Sequence, residues 1–142
     1  MTNPLRTAFL LILCCFLPIA GCGTSRKQLL ASDASQVKLR SIQTRAFDST
    51  DRETMLRTVM ATLQDLNFVI DDASIDLGTV SATKLDRYAL RMTVSVRPRG
   101  DTQLLVRANG QCNLQAIEDP KPYQQFFDSL SKSVFLAAHQ VD

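Results

Sequence analysis

The chain has 142 residues, 45% of them apolar and 21% charged, with a formal net charge of +2. That length is one domain plus a short extension. The charged fraction is ordinary for a globular protein and argues against disorder, and the near-neutral balance gives no support to nucleic acid as a partner.

The amino end carries one cation, Arg6, then an apolar run from Ala8 to Ala20, then small residues leading to Cys22. Basic start, apolar middle and small-residue exit form the pattern of a secretory signal. An uncleaved anchor is the rival reading, but a spanning helix needs roughly 20 apolar residues. This run has 13 and is interrupted by Pro18. Ile19-Ala20-Gly21-Cys22 resembles the lipobox of bacterial lipoproteins: a branched apolar residue, two small residues and the cysteine. The resemblance implies that residues 1–21 are a cleaved lipoprotein signal peptide. It also implies that Cys22 is acylated and holds the mature chain to a membrane. Gly23 stands where an aspartate is the familiar inner-membrane retention signal, so the implied home is the periplasmic face of the outer membrane rather than of the inner one.

On that reading Cys14 and Cys15 leave with the signal and Cys22 is consumed by lipid. Cys112 is then the last ordinary thiol, and the mature form has no intrachain disulfide. Residues 22–35 are mostly small and polar and serve as a tether, with a typical reach of about 20 Å for a flexible chain of that length. Residues 36–142 are left for a single domain, enough for one core between two packed layers.

Within that domain, Val37 to Phe47 alternates like a strand but changes phase, so a bulge is expected near Arg40-Ser41. Thr50 and Glu53 fit a capping box. Leu56, Val59, Met60, Leu63 and Leu66 then fall at helical spacing, and Asn67 suits the left-handed stop. Phe68-Val69-Ile70 reads as a short buried strand, Asp71 to Ser74 as a polar turn, and Leu77 to Leu85 as a Thr/Val-rich strand. Ala89–Arg97 and Leu104–Leu114 alternate strictly on either side of a Pro98-Arg99-Gly100-Asp101 turn. Each therefore buries one side only, as in an antiparallel sheet. Pro122 suits the first turn of a last helix whose apolar face runs through Tyr123, Phe127, Leu130, Val134, Ala137 or Ala138, and Val141.

Groups that exchange protons or attack near neutral pH are scarce. His139 is the single histidine, off the apolar stripe of the last helix and placed to complement its dipole. Cys112 shares the inward parity of Val106 and Ala108 and reads as a small apolar residue. Two such groups fall short of the four ligands of a structural zinc site. Asp71, Asp72 and Asp76 lack the spacing of a calcium loop. Neither a phosphate-cradling glycine loop nor a Gly-x-Ser-x-Gly elbow is present. The expectation is a protein that is not an enzyme and takes no cofactor or metal. The outward parity of the hairpin instead gathers Arg91, Arg97 and Arg107 around Leu105 on one sheet face, with Arg87 and Arg99 near the ends. The ordinary reading of such a face is a solvated surface kept soluble by charge; the functional one is a contact for carboxylates of a partner or phosphates of anionic lipid or lipopolysaccharide.

The order β-α-β-β-β-β-α resembles the helix-grip domains of BamC, and LptE-like lipoproteins have a similar order. The matching residues are Leu63-Gln64-Asp65-Leu66-Asn67-Phe68-Val69-Ile70-Asp71 and Gly78-Thr79-Val80-Ser81-Ala82, in which a helix ends, an aromatic-aliphatic strand enters an acidic turn, and a glycine leads the next strand. The chain departs from the pattern in having Asn67 at a position where glycine is common, and in holding one copy of the unit rather than two. The expected fold is α+β: an antiparallel sheet of about five strands with two helices on one face. The resemblance implies a non-enzymatic accessory or scaffold subunit of a cell-envelope complex, held to the membrane through Cys22 and partnered by an envelope protein. The alternative is a binding module for anionic lipid or lipopolysaccharide through the arginine-bearing face.

Overall fold

A computed structural model describes residues 35–85 and 88–139. The signal, Cys22, most of the tether, Arg87 and Val141 lie outside them. Residues 35–42 are helical (α1), followed by β1 (Thr44–Phe47), α2 (Arg52–Asp65), β2 (Val69–Ser74), β3 (Thr79–Leu85), β4 (Ala89–Arg99), β5 (Gln103–Cys112), β6 (Gln115–Ala116) and α3 (Pro120–His139). The protein is α+β, with one antiparallel sheet in the order β1-β5-β4-β3-β2 and β6 added to β5. Among the described residues three helices and six strands replace the two and about five expected. None of the described helices is long and apolar enough to cross a membrane.

The core lies between the sheet and the helices α2 and α3. Leu56, Val59 and Leu63 of α2 and Tyr123, Phe126, Phe127 and Leu130 of α3 meet Val80, Ala82, Met92, Val94, Val96, Leu104, Val106 and Ala108 of the sheet. Thr62, buried between the helices, bonds the Thr58 carbonyl (2.8 Å) and reaches Ser133 on α3 (3.4 Å). The connection through α2 carries the chain from one sheet edge, β1, to the other, β2.

The β4–β5 hairpin pairs from Leu90↔Cys112 to Arg99↔Gln103, with Gly100 in the left-handed region (φ 63°) at its tip. The strand thus runs through Pro98 and Arg99, which the sequence assigned to the turn. Pro98 fits because its missing N–H would point the way of the Val96 N–H, which bonds the Gly78 carbonyl (2.8 Å). Beyond that point β3 has no residue to pair, so no ladder bond is lost.

Several boundaries differ from the sequence reading for local reasons. The expected strand over Val37–Phe47 is helical as far as Ile42. Leu39 and Ile42, three apart, pack on the core, and the Gln43 N–H bonds the Leu39 carbonyl (3.1 Å). Over so few residues both periods fit. The cap of α2 is Asp51, not Thr50: its carboxylate accepts from the Thr54 N–H (3.0 Å) and hydroxyl (2.6 Å). Asn67 does take the left-handed conformation (φ 63°) after α2.

Strand β2 continues through Asp71–Ser74, the expected turn, and the turn itself falls at Ile75–Gly78. As an edge strand with a bulge between Ile70 and Asp72 it leaves Val69 71% exposed, where burial was expected, while Phe68 is buried. Leu114, assigned to β5, lies in the β5–β6 turn with φ 71° and is exposed. Helix α3 starts at Pro120, which puts Pro122 in its first turn, as expected.

Candidate functional site

One face of the sheet carries the helices; the other is open among the described residues. Antiparallel partners share a face, so the register places Thr79, Ser81 and Thr83 of β3, Arg91, Thr93, Ser95, Arg97 and Arg99 of β4, and Gln103, Leu105, Arg107, Asn109 and Gln111 of β5 on the open side. Ser81 and Thr93 hydroxyls meet at 3.2 Å in its middle. Arg91, Arg97, Arg99, Arg107, Asn109 and Gln111 are all exposed, and Leu105 is half-buried.

The arginines divide into two groups. Arg91 sits at the end nearest β2, with Nε 3.7 Å from an Asp71 carboxylate oxygen that also accepts from the Thr83 hydroxyl (2.6 Å). Asp71 lies on this face by alternation from Val69, which pairs with Thr83, and the bulge that follows brings Asp72 opposite Ser81 on the same face. Arg97, Arg99 and Arg107 gather at the other end, where Arg97 pairs with Leu105 and Arg107 with Ser95. Among the described residues these three make no ion pair. Diagonal neighbours on a sheet face are about 7–8 Å apart, so Arg97 and Arg107 repel weakly through water and an anion between them relieves that repulsion. The structure therefore brings Arg97, Leu105 and Arg107 together and sets Arg91 apart in its own ion pair. Arg45, from the same β1–β5 ladder, faces the helices instead: it bonds Asp128 (3.2 Å) and stands 5.1 Å from the Phe127 ring centre.

The other candidate groups have structural surroundings. His139 bonds the Phe135 carbonyl through Nδ1 (2.7 Å) and stacks on its ring. Cys112 is half-buried on the helix side of the sheet. Among the described residues no three His, Cys, Asp or Glu side chains are grouped to hold a metal.

Sequence reasoning missed a second feature. On the helix side, at the end of the sheet where α2 stops and α3 begins, an apolar cleft of about 450 Å³ is lined by Leu66, Phe68, Leu90, Met92, Ile117 and Phe126, with Lys84, Tyr88, Asp119 and Lys121 also on it. Its lining comes from separate stretches of the chain, around residues 66–68, 84, 88–92, 112 and 117–126, so periodicity within any one of them carries no sign of it.

Fold and face together define a helix-on-sheet domain whose sheet is covered on one side and basic on the other. No protein-family model matches the chain, and no curated protein matches it in sequence.

Proposed function

We propose that the chain is a bacterial lipoprotein, anchored through acylated Cys22 at the periplasmic face of the outer membrane. Its domain is a non-enzymatic accessory subunit that docks an envelope protein on the open sheet face. The observation that supports docking most is the cluster of Arg97, Arg99 and Arg107, without ion pairs among the described residues, around half-buried Leu105. Planar guanidinium groups favour bidentate carboxylate partners. An aliphatic side chain among them supplies the apolar centre that protein interfaces have and bare counter-ion sites lack. The anchoring rests on the likeness of Ile19-Ala20-Gly21-Cys22 to a lipobox.

Cross-linking followed by pull-down from intact envelopes tests this, with the full chain beside its Arg97→Glu/Arg107→Glu form. The reading expects one protein at near-equal stoichiometry from the parent and about tenfold less from the charge-reversed form. Recovery of anionic lipid alone, lost with the same substitutions and with added salt, would move the assignment to the lipid-binding alternative.

A further inference from the structure

We propose that the apolar cleft on the helix side is a binding site for a fatty acid, taking its acyl chain between α2, α3 and the sheet and its carboxylate at Lys84 and Lys121. This face lies opposite the arginines, so the inference does not depend on the docking reading and either can fail alone.

The floor follows from register. Lys84, Leu90 and Cys112 form one row across β3, β4 and β5, and Ala82, Met92 and Gly110 form the next. Leu66 and Phe68, at the end of α2, make one wall; Ile117, Pro122 and Phe126, leading into α3, make the other. The bottom is apolar, with Met92 and Phe126 buried beneath it. A volume of about 450 Å³ is in the lower part of the range of roughly 300–1,000 Å³ for sites that enclose small ligands, which suits one chain rather than two.

The polar groups are confined to a few positions, and their charges choose the head group. Lys84 Nζ donates to the Leu66 carbonyl at the end of α2 (3.1 Å), which fixes it at the cleft and leaves its two other N–H groups free to donate. Neither Lys84 nor Lys121 makes an ion pair among the described residues. The one carboxylate among the described lining residues, Asp119, already accepts from the Lys121 backbone N–H (3.0 Å). Among the described lining residues two lysines against one aspartate leave a single net positive charge, which matches a monoanion such as a carboxylate better than a phosphate dianion. Tyr88, 58% exposed, adds a hydroxyl donor at the cleft. Burying each methylene of the chain strengthens binding by about fourfold, so affinity should climb with chain length until the cleft is full.

The test uses the full chain in isolated envelopes and a dodecanoate analogue carrying a mid-chain diazirine. After irradiation, adducts are expected on peptides holding Phe68, Leu90–Met92 or Phe126. Unlabelled dodecanoate should suppress them about tenfold better than dodecanol. Lys121→Gln, an exposed change that leaves packing alone, and Lys84→Gln should each weaken labelling several-fold. Adducts confined to exposed apolar residues such as Phe135 and Leu136, or equal suppression by dodecanol, would overturn the proposal. Stronger suppression by dodecyl phosphate than by dodecanoate would overturn the carboxylate assignment.

Discussion

The hydroxyl of Tyr123 accepts a hydrogen bond from the Gly110 N–H at 3.1 Å, and a side chain at position 110 would crowd it. A Cβ at position 110 would lie 3.2 Å from both that oxygen and Ile117 Cδ1. The same hydroxyl accepts from Gln43 Nε2 (3.1 Å) and donates to the Ile117 carbonyl (2.8 Å). One buried oxygen, with its bonding capacity filled, thus joins α3 to β5, to the segment after α1 and to the loop after β6. The wall of the cleft at Ile117 is positioned by this knot.

Replacing Tyr123 by Phe removes the oxygen and leaves those groups short of a partner in the core. The expected cost is about 2 kcal/mol, read as a fall in the denaturant midpoint. Gly110→Ala should be destabilising too, and the double variant should cost less than the sum, because both changes break the same contact.

Gly78 is placed more tightly than Gly110. Its φ is 68°, and an added Cβ would lie 2.6 Å from the Val96 carbonyl oxygen. Arg52 holds the adjoining turn by donating to the carbonyls of Ile75 and Asp76. Gly78→Ala combines left-handed strain with a backbone clash, and a loss of about 2–3 kcal/mol is expected. Thermal unfolding checks this; Gly100→Ala, where nothing lies within 4 Å, should cost only the conformational part, about 1 kcal/mol.

Asp51 makes the stability of α2 depend on pH. Its carboxyl is held below the usual carboxylate value, first by the Thr54 hydroxyl and then by the Thr54 N–H. A group whose value is lowered by folding favours the folded state while ionised and loses that contribution on protonation. The Asp51 contribution is therefore fully present above the ordinary carboxylate range and fades as pH falls through it to the lowered value. Parent and Asp51→Ala should differ in melting temperature at neutral pH and converge in acid. A constant difference would show that the cap acts without its charge.

Cys22→Ser tests the anchor. The proposal expects loss of incorporated acyl label and, with processing blocked, accumulation of the uncleaved chain. Unchanged labelling would remove Cys22 as the lipid site.

How much of this was legible in the sequence depended on how many residues fixed the period. The β4–β5 hairpin alternates over some ten residues on each strand, so its inner and outer sets, and with them the shared face of Arg97, Leu105 and Arg107, follow from parity alone. The stripe of α2 is nearly as plain. Leu39 and Ile42 satisfied strand and helix alike, and packing on the core decided for helix. Asp51 and Thr50 are both good caps, and only the backbone at Asp51 settled which one accepts. The bulge between Ile70 and Asp72 puts the neighbours Asp71 and Asp72 on the same open face, a consequence of one extra residue that no local pattern announces. The cleft needed the whole topology.

The central claim is that the open face docks a protein. The most direct measurement places a photo-crosslinking amino acid at Leu105 and, as a control, at Gln64, exposed on α2, and irradiates cells carrying the full chain. The account predicts a protein adduct of one discrete mass from position 105, absent from position 64 and lost when Arg97 and Arg107 are reversed in charge. No adduct from position 105, or the same adduct from both positions, would contradict it.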